Sequence, residues 1–231
     1  MYLKLIFWNV QRLSANSNEE RKKIIIDTAL TRVSPDFALF CELLQTNAFP
    51  APYNLTYRKE SDRQLCYGCI GSDGSSYNLD KFTPAATDEY KAAVFKGGND
   101  FTELADRAVG LLGTVKGVDI YVIHAPASSN SAQKAMAFVA CDLNKRYGNK
   151  PWLLVGDFNV EPEKLASSKT GIRLADLIVP PDWYTKIGKT KNKKYDYVLT
   201  NWDKSKVSVR VIRSGRDNNS DHYPIYVELW S

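Results

Sequence analysis

The 231-residue chain reads as a single α/β (α+β) domain in which two packed mixed sheets are covered by helices. Three observations predict this. Hydrophobic residues make up 44% and charged residues 25%, an ordinary globular balance with enough apolar material for a sizeable core. Short aliphatic and aromatic runs of strand length recur along the whole chain. Only two segments carry a helical repeat, so many strands must pack largely on one another. The 13 Gly and 10 Pro are scattered, with no linker tract and no internal repeat, so residues 1–231 are expected to form one domain. Apolar runs of about six residues fall far short of the roughly 20 needed to span a bilayer, which excludes a transmembrane protein.

The elements follow in order. Residues 3–8, within Met1-Tyr-Leu-Lys-Leu-Ile-Phe-Trp8, lack a long apolar stretch and a small-residue cleavage site. They read as a buried strand rather than a signal peptide, and the cytoplasm is the expected compartment. Ser17-Asn-Glu-Glu20 has the form of a capping box, and Ile25, Ala29, Leu30 and Val33 recur on one face until Ser34-Pro35 stops the helix. Strands are expected at 37–41, 90–95, 109–115 and 120–123. Residues 130–147 form a second helix with Ala132, Met136, Val139 and Leu143 on one face, ended by Gly148. Further strands are expected at 152–155, 195–199, 207–212 and 223–230. Four cysteines are too few for a disulfide framework, and Cys41 and Cys141 lie in apolar patterns as core residues. Cys66 and Cys69 have no second pair and no nearby His, so they read as half-buried thiols, with a small bridge between them as the alternative.

What ends these runs is more informative. The first run ends in Asn9, the second in Glu42, 120–123 in His124, and 152–156 in Asp157-Phe158-Asn159. Later runs reverse the order: Asp196 lies near the start of 195–199, and Ser220-Asp221-His222 precedes 223–230. If the early strands run one way and the last two the other, every one of these groups meets at one rim, as a mixed sheet allows.

Glu42, Asp157, Asp196 and Asp221 brought together repel unless a counter-charge intervenes. Oxygen ligands from Glu, Asp and Asn suit Mg²⁺ or Ca²⁺, with Mn²⁺ a further candidate. Two His and no suitable Cys cluster argue against zinc. Asp196 is placed to orient His222 and raise its pKa, giving a general acid or base. Taken singly, Asn9, Glu42, His124 and Asp196 are common strand-end or turn residues. Gly156-Asp-Phe-Asn159 and Ser220-Asp-His222 are more specific, and the ordered set favours a site for phosphodiester hydrolysis.

The segments Phe-Trp-Asn9-Val, Phe-Cys-Glu42, Arg107-Ala-Val, Ile-His124-Ala, Val-Gly-Asp157-Phe-Asn159, Tyr-Asp196-Tyr and Ser-Asp221-His222-Tyr-Pro, in this order, resemble the endonuclease/exonuclease/phosphatase superfamily. Ser-Asp-His-Tyr-Pro and Ile-His-Ala-Pro are similar to its deoxyribonuclease I branch. Gly-Asp-Phe-Asn-Val-Glu-Pro and Tyr-Asp-Tyr-Val are similar to the B subunits of cytolethal distending toxins. The resemblance implies a deoxyribonuclease I-like four-layer αββα sandwich. It implies Glu42 as principal Mg²⁺ ligand, with Asn9 and Asp221 as further metal or phosphate contacts. Asp157 would position or activate water, Asn159 would hold a phosphate oxygen, and Arg107 would bind a phosphate. His222, paired with Asp196, would be general base or electrostatic stabiliser, and His124 would help the leaving oxygen. A glutamate supports the first His in deoxyribonuclease I, and Glu60 or Asp62 lies in the corresponding region here. The toxin likeness brings delivery into another cell, and an inhibitor or immunity protein as partner, into view; a monomer is expected.

The superfamily spans several substrates, and charge selects among them. Setting the four site acids aside leaves 22 of 26 acidic residues against 31 basic ones, a balance of +9 around an acidic centre. That suits a polyanion. Lys186, Lys189, Lys191, Lys193 and Lys194 crowd the approach to Asp196, and the last four are expected to grip a DNA backbone unless the loop is merely solvated. The reading is a Mg²⁺-dependent, sequence-indifferent endodeoxyribonuclease. The alternatives are a phosphatase or phospholipase-type enzyme acting on a phosphoinositide or other phosphoester, and an RNA-directed nuclease. No metal or histidine position is lost, which argues against a catalytically dead binding module.

Overall fold

The computed structural model describes residues 2–14, 16–44, 49, 56–59, 65–72, 77–84, 109–213 and 220–231. Its first half comprises β1 (Tyr2–Leu13), α1 (Glu19–Ile26), β2 (Phe37–Leu43), β3 (Thr56–Lys59), β4 (Cys66–Gly71), β5 (Asp80–Phe82) and β6 (Val109–Val115). There follow β7 (Val118–His124), α2 (Ser129–Tyr147), β8 (Trp152–Asp157), α3 (Pro162–Ala166), β9 (Ile178–Val179), β10 (Asp196–Thr200), β11 (Val207–Val211) and β12 (Ile225–Trp230).

These strands form two six-stranded sheets, ordered β11-β12-β1-β2-β4-β3 and β5-β6-β7-β8-β10-β9. Each is mixed. The pairs β1–β2 and β7–β8 are parallel, whereas β12 runs antiparallel to β1 and β10 antiparallel to β8. The strand reversal expected from the sequence is present, and it brings the ends of β1, β2, β7 and β8 to the starts of β10 and β12. Tyr2 pairs with Trp230 at the far end of the first sheet.

Period-two alternation sorts the apolar residues into layers. Leu5, Phe7, Leu39, Ile120, Val122, Val155 and Val198 fill the space between the sheets. On the outer face of the first sheet, Ile6, Trp8, Ala38 and Phe40 pack with Ile25 and Ala29 of the first helical segment. On the outer face of the second, Tyr121, Ile123, Leu154 and Leu199 pack with Ala132, Met136, Val139 and Leu143 of α2. The result is the expected αββα stack, held by fully buried side chains each worth about 1.5–3 kcal/mol of apolar burial.

Several details differ from expectation. Asn18, not Ser17, caps α1, its side chain accepting the Glu20 N–H at 2.7 Å, while Ser17 Oγ accepts the Ser14 N–H. After Ile26 the helix widens into a π turn over Asp27–Thr31. Cys66 and Cys69 are fully buried rather than half-buried, and three-residue spacing on β4 sends them to opposite faces, so no bridge joins them. The short strands β3, β5 and β9 and the helix α3 had no legible pattern. Residues 90–95, Glu60, Asp62 and Arg107 lie outside the described residues.

Gly156 pairs with Ile123 across the parallel β7–β8 ladder. A Cβ there would stand 2.0 Å from the Ile123 carbonyl oxygen. Only glycine lets β8 approach β7 so closely, immediately before Asp157. Gly156→Ala should therefore cost roughly 1–3 kcal/mol as an overpacked site. Urea unfolding of the purified variant measures this; an unchanged midpoint would show that the ladder relaxes without cost.

Candidate active site

The polar strand ends share the facing of the inter-sheet core. Asn9 continues the inward series Leu5, Phe7; His124 continues Ile120, Val122; Asp157 continues Leu153, Val155; and Asp196 stands two residues before Val198. Each points into the seam between the sheets where the apolar filling stops. On β7, β8 and β10 the three residues are direct neighbours, His124 opposite Asp157 and Asp157 opposite Asp196.

Glu42 breaks the rule. By alternation it belongs with the outward Phe40, but the register of β2 shifts between Phe40 and Leu43 and Glu42 takes φ +57°. This bulge turns the carboxylate inward, where Oε1 lies 3.4 Å from His124 Nε2. A similar shift in β1 beyond Asn9, with Gln11 and Arg12 at positive φ, lets Gln11 Oε1 accept the Asp221 N–H.

Asn9 joins the two sheets. Its Nδ2 donates to Glu42 Oε1 at 3.1 Å and to Asp157 Oδ2 at 3.0 Å, and its Oδ1 accepts the Gln11 N–H. Asp157 Oδ2 is also 3.6 Å from His222 Nε2 and 3.8 Å from His124 Nε2. Burial alone would raise the Asp157 carboxyl. The two imidazoles, Lys186 and the Asn9 amide outweigh burial and hold it below the usual carboxylate range.

The loop before β12 is fixed from both sheets. Ser220 Oγ donates to the Asn9 carbonyl and accepts the His222 N–H, and Trp8 Nε1 donates to the His222 carbonyl. His222 Nδ1 lies 2.7 Å from Asp196 Oδ2, the pairing expected from the sequence. Burial pushes His222 down, but the Asp196 and Asp157 charges and the Asp196 hydrogen bond push harder, up to about 9. Burial raises Asp196 in turn, against the pull of the imidazolium. We place the shared proton on the imidazole, because carboxylates face both of its nitrogens. Asn159, at φ +49°, donates its N–H to Asp157 Oδ1 and its Nδ2 to the Ala125 carbonyl, so it braces Asp157 from behind.

The lysine loop divides. Lys189 and Lys191 are exposed. Lys193 Nζ lies 3.3 Å from Glu161, and Lys194 Nζ donates to the Pro181 carbonyl. Lys186 turns into the site, with Nζ 3.5 Å from Asp221 Oδ2; burial lowers its pKa, and Asp157, Asp221 and Asp196 more than reverse that. Its backbone bridges to both Lys193 and His222. Neither this placement nor two supports left a mark in the sequence: Thr185 Oγ1 accepts the Tyr195 and Asp196 N–H groups, and the Tyr67 hydroxyl accepts the His124 N–H.

The donor set fits a hard cation. Glu42 and Asp221 carry carboxylates at the open rim, 21% and 37% exposed, and all four cysteines are buried in apolar layers. Asp157, Asp196 and His222 also offer ligand atoms within 4.8 Å of one another. The rim therefore offers two sets of oxygen and nitrogen donors, the carboxylates of Glu42 and Asp221 at the open edge and the buried Asp157, Asp196 and His222 behind them.

The sequence matches no family model and no curated protein. Solved structures do match. CdtB, the biologically active subunit of cytolethal distending toxin, aligns with TM-score 0.68 at 14% identity, over 97% of this chain and 96% of that one. A D. rerio TDP2 humanized by 14 mutations aligns at 0.68 and 16%, over 100% and 99%. This is the deoxyribonuclease I-like fold. Truncated C. elegans TDP2 extends the series, at 0.65 and 15% over 100% and 98%. The likeness to CdtB read from short motifs is thus matched by the course of almost the whole chain. At these identities the likeness speaks for the fold, and activity rests on the chemistry of the rim.

The ion pair has a measurable consequence. A folded-state His222 value near 9 against 6.5 in the unfolded chain stabilises the fold fully below pH 6.5, and that stabilisation is lost as pH rises through 9. In EDTA, the Tm should fall across this window, and His222→Gln should flatten the slope. Parallel curves for the two proteins would mean that the Asp196–His222 ion pair does not stabilise the fold.

Proposed function

We propose that this protein is a Mg²⁺-dependent phosphodiesterase that cleaves the DNA backbone by endonucleolytic nicking. The observation that carries the reading is the meeting of Asn9 and Glu42 from one sheet with His124, Asp157 and Asp196 from the other, closed by Asp221 and His222. The fold is supporting context, shared with CdtB and TDP2, and the resemblance of the motifs to deoxyribonuclease I and to toxin B subunits points to DNA. The surplus of basic over acidic residues favours a polyanion over a small neutral phosphoester.

Glu42 and Asp221 would hold the cation, which would neutralise charge on the scissile phosphate. Asp157, kept ionised and fixed by Asn9 and Asn159, orients the attacking water and takes its proton. The water oxygen forms a bond to phosphorus as the bond to the leaving oxygen breaks. His222, charged at neutral pH and held by Asp196, donates to a non-bridging oxygen in the transition state. His124, on the other side of Asp157, supplies the proton to the leaving oxygen. Lys189 and Lys191 contact neighbouring phosphates from the exposed loop.

Relaxation of supercoiled plasmid by the pure protein in Mg²⁺, abolished by EDTA, is the direct test. Phosphate release from a phosphoinositide without plasmid relaxation would move the assignment to a phosphatase. His124→Ala and His222→Ala should each lower the rate by about 10²–10⁴-fold. Glu42→Ala should recover in part at raised Mg²⁺. Wild-type rates in all three variants would sink the residue assignment.

Replacing Lys189 and Lys191 together by alanine should flatten the dependence of log KM on log salt by about two units, one for each phosphate left without its lysine. An unchanged slope would mean these lysines only face solvent.

A further inference from the structure

Three large apolar side chains are exposed among the described residues, and two are adjacent: Trp183, 42% exposed, and Tyr184, 38%. Their rings meet edge to face with centroids 5.6 Å apart, and the Arg213 guanidinium lies over the Trp183 ring at 4.1 Å. Leaving both residues about two-fifths exposed while fixing them in one geometry is poor use of two aromatics in a core, but it suits a surface that stacks flat ligands.

The segment bearing them is anchored at both ends. On one side Asp182 Oδ1 accepts the Val211 N–H at 2.8 Å, and the Asp182 N–H donates to the Val209 carbonyl, which fastens the segment to the β11 edge. On the other, Thr185 accepts the Asp196 N–H and its carbonyl accepts the Tyr223 N–H, so the same few residues that carry the rings brace the Asp196–His222 pair. Trp183 is three residues from Lys186, so their Cα atoms are at most about 11 Å apart, and Lys186 reaches Asp221 at the rim. That span is on the scale of one or two nucleotides. The charges alongside are positive: Arg213 on the indole, then Lys186, Lys189 and Lys191 in the following loop.

We propose that Trp183 and Tyr184 form a base-stacking platform that takes an unpaired base of the substrate strand next to the cleaved phosphate. Duplex regions keep their bases stacked on each other, so the platform selects single-stranded or locally opened DNA. Arg213 holds the indole in place and faces the backbone of the stacked nucleotide. The proposal deepens the nuclease reading and rests on it for the register of the strand, but the platform binds bases whether or not cleavage follows.

Trp183 is the most exposed of the five tryptophans, since Trp8 and Trp152 are fully buried and Trp202 and Trp230 partly so. Its fluorescence therefore reports on the platform directly. In EDTA, a short single-stranded oligodeoxynucleotide should quench the emission, and an abasic strand of equal length and charge should not. The double variant Trp183→Ala/Tyr184→Ala should bind the oligonucleotide about tenfold more weakly, a modest share of what aromatic–base stacking contributes. Its cleavage of the abasic strand, which offers no base to stack, should stay at the wild-type level. Equal quenching by the abasic strand, or unweakened binding by the double variant, would overturn the platform. Quenching by the base-bearing strand alone, with no cleavage of any nucleic acid, would uphold the platform and refute the nuclease reading.

Discussion

The site depends on one amide. Asn9 Nδ2 bridges Glu42 of its own sheet and Asp157 of the other. Two carboxylates about 5–6 Å apart repel by roughly 3 kcal/mol at an effective dielectric constant of 20. The bridging donor offsets part of that, and the imidazoles of His124 and His222 offset more. Asn9 therefore does in polar chemistry what Leu5 and Phe7 do in apolar chemistry further along the same strand face, holding one sheet to the other.

This arrangement explains why the charged groups of the rim are so deeply set. His222, Asp157 and Asp196 are almost wholly buried, yet each has a charged or hydrogen-bonding partner, which makes a low-dielectric setting tolerable. Their positions are set by strands rather than loops, so their spacing is the ladder spacing of β7, β8 and β10. Gly156 keeps that spacing tight immediately beside Asp157.

Much of this was legible in the sequence because strand periodicity and strand ends are local properties. Two sheets, the long helix α2, the reversal of the last strands and the pairing of Asp196 with His222 all follow from short patterns. The rest depended on geometry that no short window contains. Glu42 reaches the rim through a bulge, where alternation alone would send it outward. Lys186 looked like its loop neighbours, and only backbone pairing with Lys193 and His222 turns it inward. Two-residue β9 and three-residue β5 are too short to show a period, and the one-residue error at the helix cap arose because Ser17 and Asn18 both suit that role.

The pairing of β12 with β1 brings opposite extremes of the chain together, Tyr2 beside Trp230 and the His222 loop beside Asn9. Ser220 and Asn9 are hydrogen-bonded although 211 positions separate them. The second sheet is made by β5 to β10 and closes without Asp221 or His222. The Asp196–His222 pair therefore forms only once β12 slots between β11 and β1, so the polar rim is completed by the longest-range strand pairing of the fold.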